Sequence, residues 1–153
     1  MCHISRLWRN FLIIVFLVHL SGISIAAESV TMPKRFSPCP DSPNCVSSDA
    51  IDTSHRVEPF GIIIHADAAW RLVREVVNSL PRTEITQATD NYLHAECKSA
   101  VFRFVDDLEL ELRTGEGIIA VRSASRTGHS DFGVNRRRVE RLRAVLQSRG
   151  AIK

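Results

Sequence analysis

A polar segment near the C-terminus, residues 121–138, groups the side chains best suited to bind a charged ligand. Its sequence, VRSASRTGHSDFGVNRRR, places guanidinium, hydroxyl, carboxylate and amide groups close together in the chain. Guanidinium groups match carboxylate and phosphate oxygens in geometry, and polar connections between elements commonly bind ligands. The candidate ligand-binding residues are Arg122, Ser123, Ser125, Arg126, Asp131, Asn135 and Arg138, with Asp106 and Asp107 from the preceding strand.

Alternation along the strand expected at 118–125 divides these candidates between two faces. The two serines fall on one face, and Arg122 and Arg126 fall on the other. Arg122 and Arg126 are four residues apart, about 13 Å along a strand, so a shared grip on one anion would require both long side chains to converge on it. Asp106 and Asp107 fall across from this strand, so an internal network of ion pairs is the first alternative to a ligand site.

Two catalytic alternatives use histidines. Ser123 or Ser125 with His129 would supply a hydrolase nucleophile and base, but the sequence has no G-x-S-x-G element to hold the serine. His94 and Glu96 share a strand face, and with His129 they would supply three metal ligands. Such patterns arise readily by chance. We therefore expect a binding protein in preference to an enzyme, with no metal and no cofactor.

Residues 1–26 have the organisation of a cleaved signal peptide. Arg6 and Arg9 precede the apolar stretch FLIIVFLVHL, and small residues lead to a cleavage position after Ala26. The apolar stretch is shorter than the ~20 residues of a membrane span. The predicted location is the periplasm or the exterior. The alternative is an inner-membrane protein anchored by an uncleaved N-terminal helix.

Charge is distributed unevenly along the chain. The formal net charge is +3, but residues 122–153 contain nine basic side chains against two acidic ones. The arginines at 136–138 lack the interleaved aromatic side chains typical of nucleic-acid surfaces, and an exported protein meets little nucleic acid. We expect no nucleic-acid partner, and no membrane contact beyond an uncleaved leader.

Three cysteines follow the predicted leader. Cys39 and Cys45 enclose the loop CPDSPNC, whose prolines pre-bend the backbone, and an oxidising compartment favours a disulfide between them. A metal clip is the weaker alternative, because no second ligand pair lies at zinc spacing. Cys97 lies in an expected strand, where a buried thiol is the ordinary interpretation.

The hydrophobic pattern predicts an α+β fold. Apolar and polar residues alternate from 100 to 112, as in a strand with one buried face, and Asp106 occupies an apolar position. Apolar stripes predict two helices, for which Asp67 and Asn135 are candidate caps. Further strands are expected at 59–65, at 83–98 with an interruption at 89–91, and at 118–125.

These elements predict a mainly antiparallel four-stranded sheet with two helices on one face, in the order strand-helix-strand-strand-strand-helix. The sheet and helices would form a single domain at residues 56–150. An extended arm at 27–55 would precede it and would contain the disulfide loop.

Four segments of the chain resemble a bacterial family without an assigned activity, domain of unknown function 1499. They are CPDSPNCVSS at 39–48, PRT at 81–83, FRFVDDLEL at 102–110 and RSASRTGHSDFGVNRRRVERLR at 122–143. The resemblance implies an exported or membrane-associated protein and assigns a role to no residue. The positions that match the family pattern are Cys39, Cys45, Asp106, Asp107, Arg122, Ser123, Ser125, Arg126, Asp131, Asn135 and Arg138.

The function that these observations favour is a small exported module that binds a polar or anionic ligand, or an envelope partner, through the polar segment. Two alternatives stay open. One is a hydrolase-type enzyme. The other is a purely structural envelope protein, in which the polar segment only fastens the sheet to the last helix.

Overall fold

The computed structural model describes residues 36–99 and 104–153. The predicted leader, residues 1–26, lies outside the described residues, as does the predicted arm up to residue 35. The described strands are β1 (Cys45–Ser47), β2 (Phe60–Gly61), β3 (Thr83–Ala88), β4 (Tyr92–Lys98), β5 (Val105–Arg113) and β6 (Ile118–Ser125). The helices are α1 (Ala66–Asn78) and α2 (Val134–Ser148), with a short 3-10 turn (Thr114–Glu116) between β5 and β6.

All six strands belong to one sheet in which hydrogen-bonded neighbours run antiparallel. The order is β1-β6-β5-β4-β3. Strand β2 pairs with the same edge of β6 as β1 does, but at the beginning of β6 instead of its end. The α+β class is confirmed, with six strands instead of the predicted four. The interruption at 89–91 is a turn closed by a hydrogen bond from the Thr89 amide to the Tyr92 carbonyl, so β3 and β4 are separate strands of a hairpin.

The sixth strand comes from the predicted arm, whose residues 45–47 pair with the β6 edge. The predicted strand at 59–65 is much shorter than expected. Its paired part ends at Gly61, because the partner strand β6 begins at Ile118 opposite that residue. The next residue, Ile62, forms an isolated bridge with Ile152 near the C-terminus.

Both helices pack on the same face of the sheet. The alternate residues Leu108, Leu110 and Leu112 of β5 are buried, as the sequence pattern predicts. They join one hydrophobic cluster that includes Val73 of α1 and Leu142 of α2. Burial of such side chains is the main favourable contribution to folding, at about 1.5–3 kcal/mol for each fully buried aliphatic residue.

The start of α2 differs from the expected Asn135 cap. The helix follows Gly133, whose φ of 76° is in the left-handed region, and Asn135 lies inside the first turn. The carboxylate of Asp131 accepts hydrogen bonds from the backbone amides of Gly133 (2.8 Å) and Asn135 (2.7 Å). A carboxylate at this position satisfies unpaired amides and favours the positive end of the helix dipole. Helix α1 likewise begins without a side-chain cap from Asp67.

The disulfide between Cys39 and Cys45 is confirmed. It closes a loop whose last residues lead directly into β1, so the cross-link is attached to the edge of the sheet. Cys97 is a free, buried thiol in β4, as expected. In the described part of the chain, no helix has both the length and the apolar character needed to cross a bilayer.

Candidate functional site

The predicted site residues lie on both faces of the sheet. Asp106 of β5 and Ser123 of β6 face the helices, where they meet residues of α2. Asp107, Arg122 and Arg126 belong to the opposite face. The strand alternation predicts this division, and it separates the nine candidates into two groups that cannot contact one ligand together.

The helix-facing group forms a buried polar cluster of Asp106, Ser123, Asn135 and Arg138. Arg138 donates one guanidinium hydrogen bond to Asp106 (Nη2 to Oδ2, 2.6 Å) and others to Ser123 and Asn135. Ser123 donates its hydroxyl to Asn135 Oδ1 at 2.6 Å. Ser123 and Asn135 are almost completely buried. Their polar atoms therefore bond to one another, and the cluster fastens α2 to the sheet.

The disulfide loop joins this cluster through Asn44. The backbone carbonyl of Asn44 accepts hydrogen bonds from Asn135 Nδ2 (3.0 Å) and from the Ser125 amide (2.9 Å). The Asn44 side chain donates to the carbonyl of Gly128, in the connection between β6 and α2. Two of the segments that resemble the family, at 39–48 and 122–143, are thus in direct contact through buried polar groups.

The opposite group forms part of a charged face, which we define by Glu96, Asp107, Glu109, Arg122 and Arg126. Arg126 bridges Asp107 (Nη2 to Oδ1, 2.7 Å) and Glu96 (2.6 Å). Arg122 donates to Glu109 at 2.9 Å. Since both arginines are already paired with carboxylates, the charged face is an internal ion-pair network, the alternative that the sequence left open.

Two pKa shifts describe the electrostatics of the charged face. Burial acts to raise the pKa of Asp107, but hydrogen bonds from Arg126 and His94 outweigh it and hold this pKa below its ordinary value. Burial raises the pKa of Tyr92, and the adjacent carboxylate of Glu109, which accepts its hydroxyl hydrogen bond at 2.7 Å, raises it further. Asp107 is therefore ionised and Tyr92 neutral near pH 7.

A hydroxyl, an imidazole and a carboxylate line up beside these residues. Thr86 Oγ1 lies 2.8 Å from His94 Nδ1, and His94 Nε2 lies 2.7 Å from Asp107 Oδ1. Catalytic triads share this order of groups. Here Asp107 also binds Arg126, and none of the cavities described below includes Thr86 among its lining residues. We therefore interpret this row of hydrogen bonds as a structural link between β3, β4 and β5.

The contacts between serine and histidine that the hydrolase alternative requires are not formed in the described part of the chain. Ser123 bonds to Asn135 and Arg138, and Ser125 bonds to Asn135. Neither serine has a hydrogen bond to His129, an exposed residue of the β6–α2 connection. The three candidate metal ligands His94, Glu96 and His129 also do not form a group that could hold an ion within residues 36–99 and 104–153.

A cationic cavity opens beside the buried polar cluster, between the first half of α2 and the adjoining ends of β3 and β4. Its volume is about 350 Å³. Among the described lining residues there is no carboxylate, and the five charged ones are Arg82, Lys98, Arg137, Arg138 and Arg141. Like charges at close range repel one another. An anion bound among them would relieve that repulsion.

The cationic side chains of this cavity differ in how many of their hydrogen-bond donors already have a partner in the protein. Arg138 is engaged by the buried polar cluster through both of its Nη atoms. Arg137 donates one hydrogen bond to the Phe132 carbonyl, and Arg82 donates one weak hydrogen bond to the Lys98 carbonyl at 3.3 Å. Within the described residues Arg141 has no hydrogen-bond or ion-pair partner and is exposed. Most guanidinium donors of Arg82, Arg137 and Arg141 are therefore available to a ligand.

A second, apolar cavity adjoins the first. Its volume is about 470 Å³, and Ser99 and Val134 line both cavities. Phe104 and Phe132 supply its aromatic surface, and Phe132 is 87% exposed. Asp131 also lines it, but its carboxylate is engaged by the amides at the start of α2. We refer to the two spaces as the cationic cavity and the apolar cavity.

Of the charged residues that line the cationic cavity, the sequence pattern indicated one and missed the others. Arg138 belongs to the predicted set, whereas Arg82, Lys98 and Arg141 do not. The spacing of Arg137 and Arg141, one helical turn apart, was a usable signal for a shared helix face. Arg82 has a φ of 55° directly after Pro81, at a chain turn that only the folded structure brings to α2.

The fold and its cavities define a two-layer α+β domain with helices on one face of an antiparallel sheet. The chain belongs to the family described as Protein of unknown function (DUF1499), whose model matches residues 35–146. The membership expected from the four sequence segments is confirmed. No curated protein and no solved structure matches the chain. The family description names no activity, so the function must be argued from the site.

Proposed function

We propose that this protein is an exported binding module that holds an anionic ligand in the cationic cavity. The single observation that carries the proposal is one cavity lined by Arg82, Arg137 and Arg141, which have no carboxylate partner among the described residues. The other two cations of its lining, Lys98 and Arg138, are paired with Glu84 and Asp106. Arginine donors bind phosphate and carboxylate oxygens through charge-assisted hydrogen bonds. The ligand class matches the sequence expectation, but the binding residues are Arg82, Arg137 and Arg141 instead of Arg122 and Arg126.

Export is supported by two features. The disulfide between Cys39 and Cys45 persists in an oxidising compartment, and the sequence of residues 1–26 resembles a cleaved leader. Mass spectrometry of the protein recovered from a periplasmic fraction tests this part. A mature chain beginning at Ala27 is expected, and an intact Met1 in the membrane fraction would support the uncleaved anchor instead.

Ligand binding is tested by isothermal titration calorimetry with inorganic phosphate at low ionic strength. We expect Arg141→Gln to weaken phosphate binding by about tenfold, since a hydrogen bond to a charged group contributes about 1.5–3 kcal/mol. Arg71→Gln is the matched control, because Arg71 is an exposed helical arginine that lines neither cavity. Equal affinities for both variants, or the absence of binding to the unmodified protein, would contradict the proposal.

A structural role for the predicted polar segment has its own support. The buried polar cluster and the ion pairs of the charged face hold sheet, helix and disulfide loop together. Among the described residues, Arg122 Nε is a buried side-chain nitrogen that these contacts leave without a hydrogen-bond partner. This structural role is compatible with anion binding in the adjacent cationic cavity, because the buried polar cluster holds Arg138 and the start of α2 in place. The two roles belong to different residues and can be separated by mutation.

A further inference from the structure

We infer that the ligand is an anionic amphiphile, with its charged head in the cationic cavity and a hydrocarbon chain in the apolar cavity. This inference rests on the proposed function and names the class of ligand more narrowly. It follows from the contact between two cavities of opposite character, which share Val134 and Ser99.

The apolar cavity has the surface that a hydrocarbon chain needs. Phe132 is 87% exposed and Val134 is 40% exposed, and both line it. Transfer of apolar surface out of water is favourable in proportion to the area removed. A chain laid against Phe132 and Val134 would cover side chains that the protein otherwise leaves in water.

The charges around the apolar cavity do not oppose this ligand. The two carboxylates among its described lining residues, Asp106 and Asp131, are engaged by Arg138 and by the backbone amides of Gly133 and Asn135. The cationic side chains line the adjoining cationic cavity, which shares Val134 and Ser99 with this one. A molecule that spans both spaces would therefore place its negative head and its apolar chain in matching surroundings.

The combined volumes fit one chain and one small head group. The cavities measure about 350 and 470 Å³, a range typical of small-molecule sites. Octyl phosphate is a suitable probe, because it carries a phosphate head on a short chain and can be used below its micelle concentration. Its matched probes are inorganic phosphate, which lacks the chain, and octyl glucoside, which lacks the charge.

Calorimetric titrations of the full-length protein with these three probes test the inference. We expect octyl phosphate to bind at least about 30-fold more tightly than inorganic phosphate, as burial of a few methylene groups requires. Octyl glucoside should bind at least about tenfold more weakly than octyl phosphate. Phe132→Asn should weaken octyl phosphate about tenfold and leave inorganic phosphate within about twofold, because asparagine tolerates the left-handed φ of 54° at this position.

Ile51→Asn is the control for that variant, since Ile51 is 98% exposed and lines neither cavity. If inorganic phosphate binds in a way that depends on Arg141 but octyl phosphate binds no more tightly, the inference of an amphiphilic ligand is wrong. The proposed anion site would then still stand. Failure of both phosphate probes to bind would overturn both proposals. Binding only to phosphatidylglycerol vesicles would replace the single amphiphile with a membrane surface, and equal binding of octyl glucoside would exclude a role for the charged head.

Discussion

Arg138 and Asp106 form an ion pair that connects α2 to β5 and contributes one residue to the lining of each cavity. The guanidinium Nη2 lies 2.6 Å from Asp106 Oδ2, and both side chains are largely buried. Arg138 lines the cationic cavity on one side, and Asp106 lines the apolar cavity on the other. Because this pair occupies the Arg138 guanidinium, the proposed anion would bind through Arg82, Arg137 and Arg141.

Removal of this carboxylate is expected to destabilise the fold strongly. Asp106→Asn should lower the free energy of unfolding by about 3 kcal/mol, because it leaves the Arg138 charge buried without its partner. Urea denaturation followed by circular dichroism measures the change. Asp90→Asn, in the exposed β3–β4 turn, is the control and should change stability by less than about 0.5 kcal/mol. A similar small effect at Asp106 would show that the pair is not structural.

Loss of the disulfide should also destabilise the contact between α2 and the sheet, because the disulfide loop joins the buried polar cluster. The double variant Cys39→Ser, Cys45→Ser is expected to lose about 2 kcal/mol of stability, the chain-entropy value for so short a loop. Asn44 connects this loop to Asn135, so the loss should not add to that of Asn135→Ala. A double-mutant cycle by urea denaturation measures the coupling. Strict additivity would mean that the loop and α2 are independent.

The alternation of β5 and β6 made much of this arrangement predictable. It placed Ser123 and Arg122 on opposite faces of β6 and Asp106 on the apolar face of β5, as the structure has them. What it could not give was the partner of each side chain, because ion pairs depend on the register between strands. Glu109, the partner of Arg122, was visible in the pattern but was not among the candidates.

The cationic cavity was beyond the reach of local patterns. Its arginines come from the turn after α1 and from α2, which are distant in sequence and meet only through packing of both helices on one sheet face. The β1 strand was missed for a related reason. Three residues of a proline-rich arm have no apolar period of their own, and they become a strand because β6 offers them a free edge.

Acid should weaken the charged face through Asp107. Its folded-state pKa is lowered, so its contribution to stability is complete above its unfolded pKa of about 4 and is lost as pH falls through the lower folded value. Asp107→Asn should therefore cost about 1 kcal/mol near neutral pH and progressively less below about pH 4. Urea titrations at several pH values measure the difference, and a gap that stays constant or widens in acid would contradict the assignment.

Arg122 should matter for stability and not for ligand binding. Arg122→Ala removes the ion pair with Glu109, in which both side chains are largely buried, and should lower the free energy of unfolding by about 2 kcal/mol. The melting temperature falls accordingly, while the affinity for inorganic phosphate stays within about twofold. Calorimetry supplies both numbers. A large loss of phosphate affinity in a variant that still folds would indicate that the anion binds at the charged face instead of in the cationic cavity.

Nuclear magnetic resonance of the arginine side chains is the most direct test of anion binding in the cationic cavity. Inorganic phosphate is titrated into the nitrogen-15-labelled protein while the guanidinium Nε–Hε signals are followed. We expect saturable shifts of the Arg82, Arg137 and Arg141 signals. The signals of Arg122 and Arg126 should stay unchanged, because their carboxylate partners hold them. Saturable shifts confined to Arg122 and Arg126, or no saturable shift at any arginine, would contradict anion binding in that cavity.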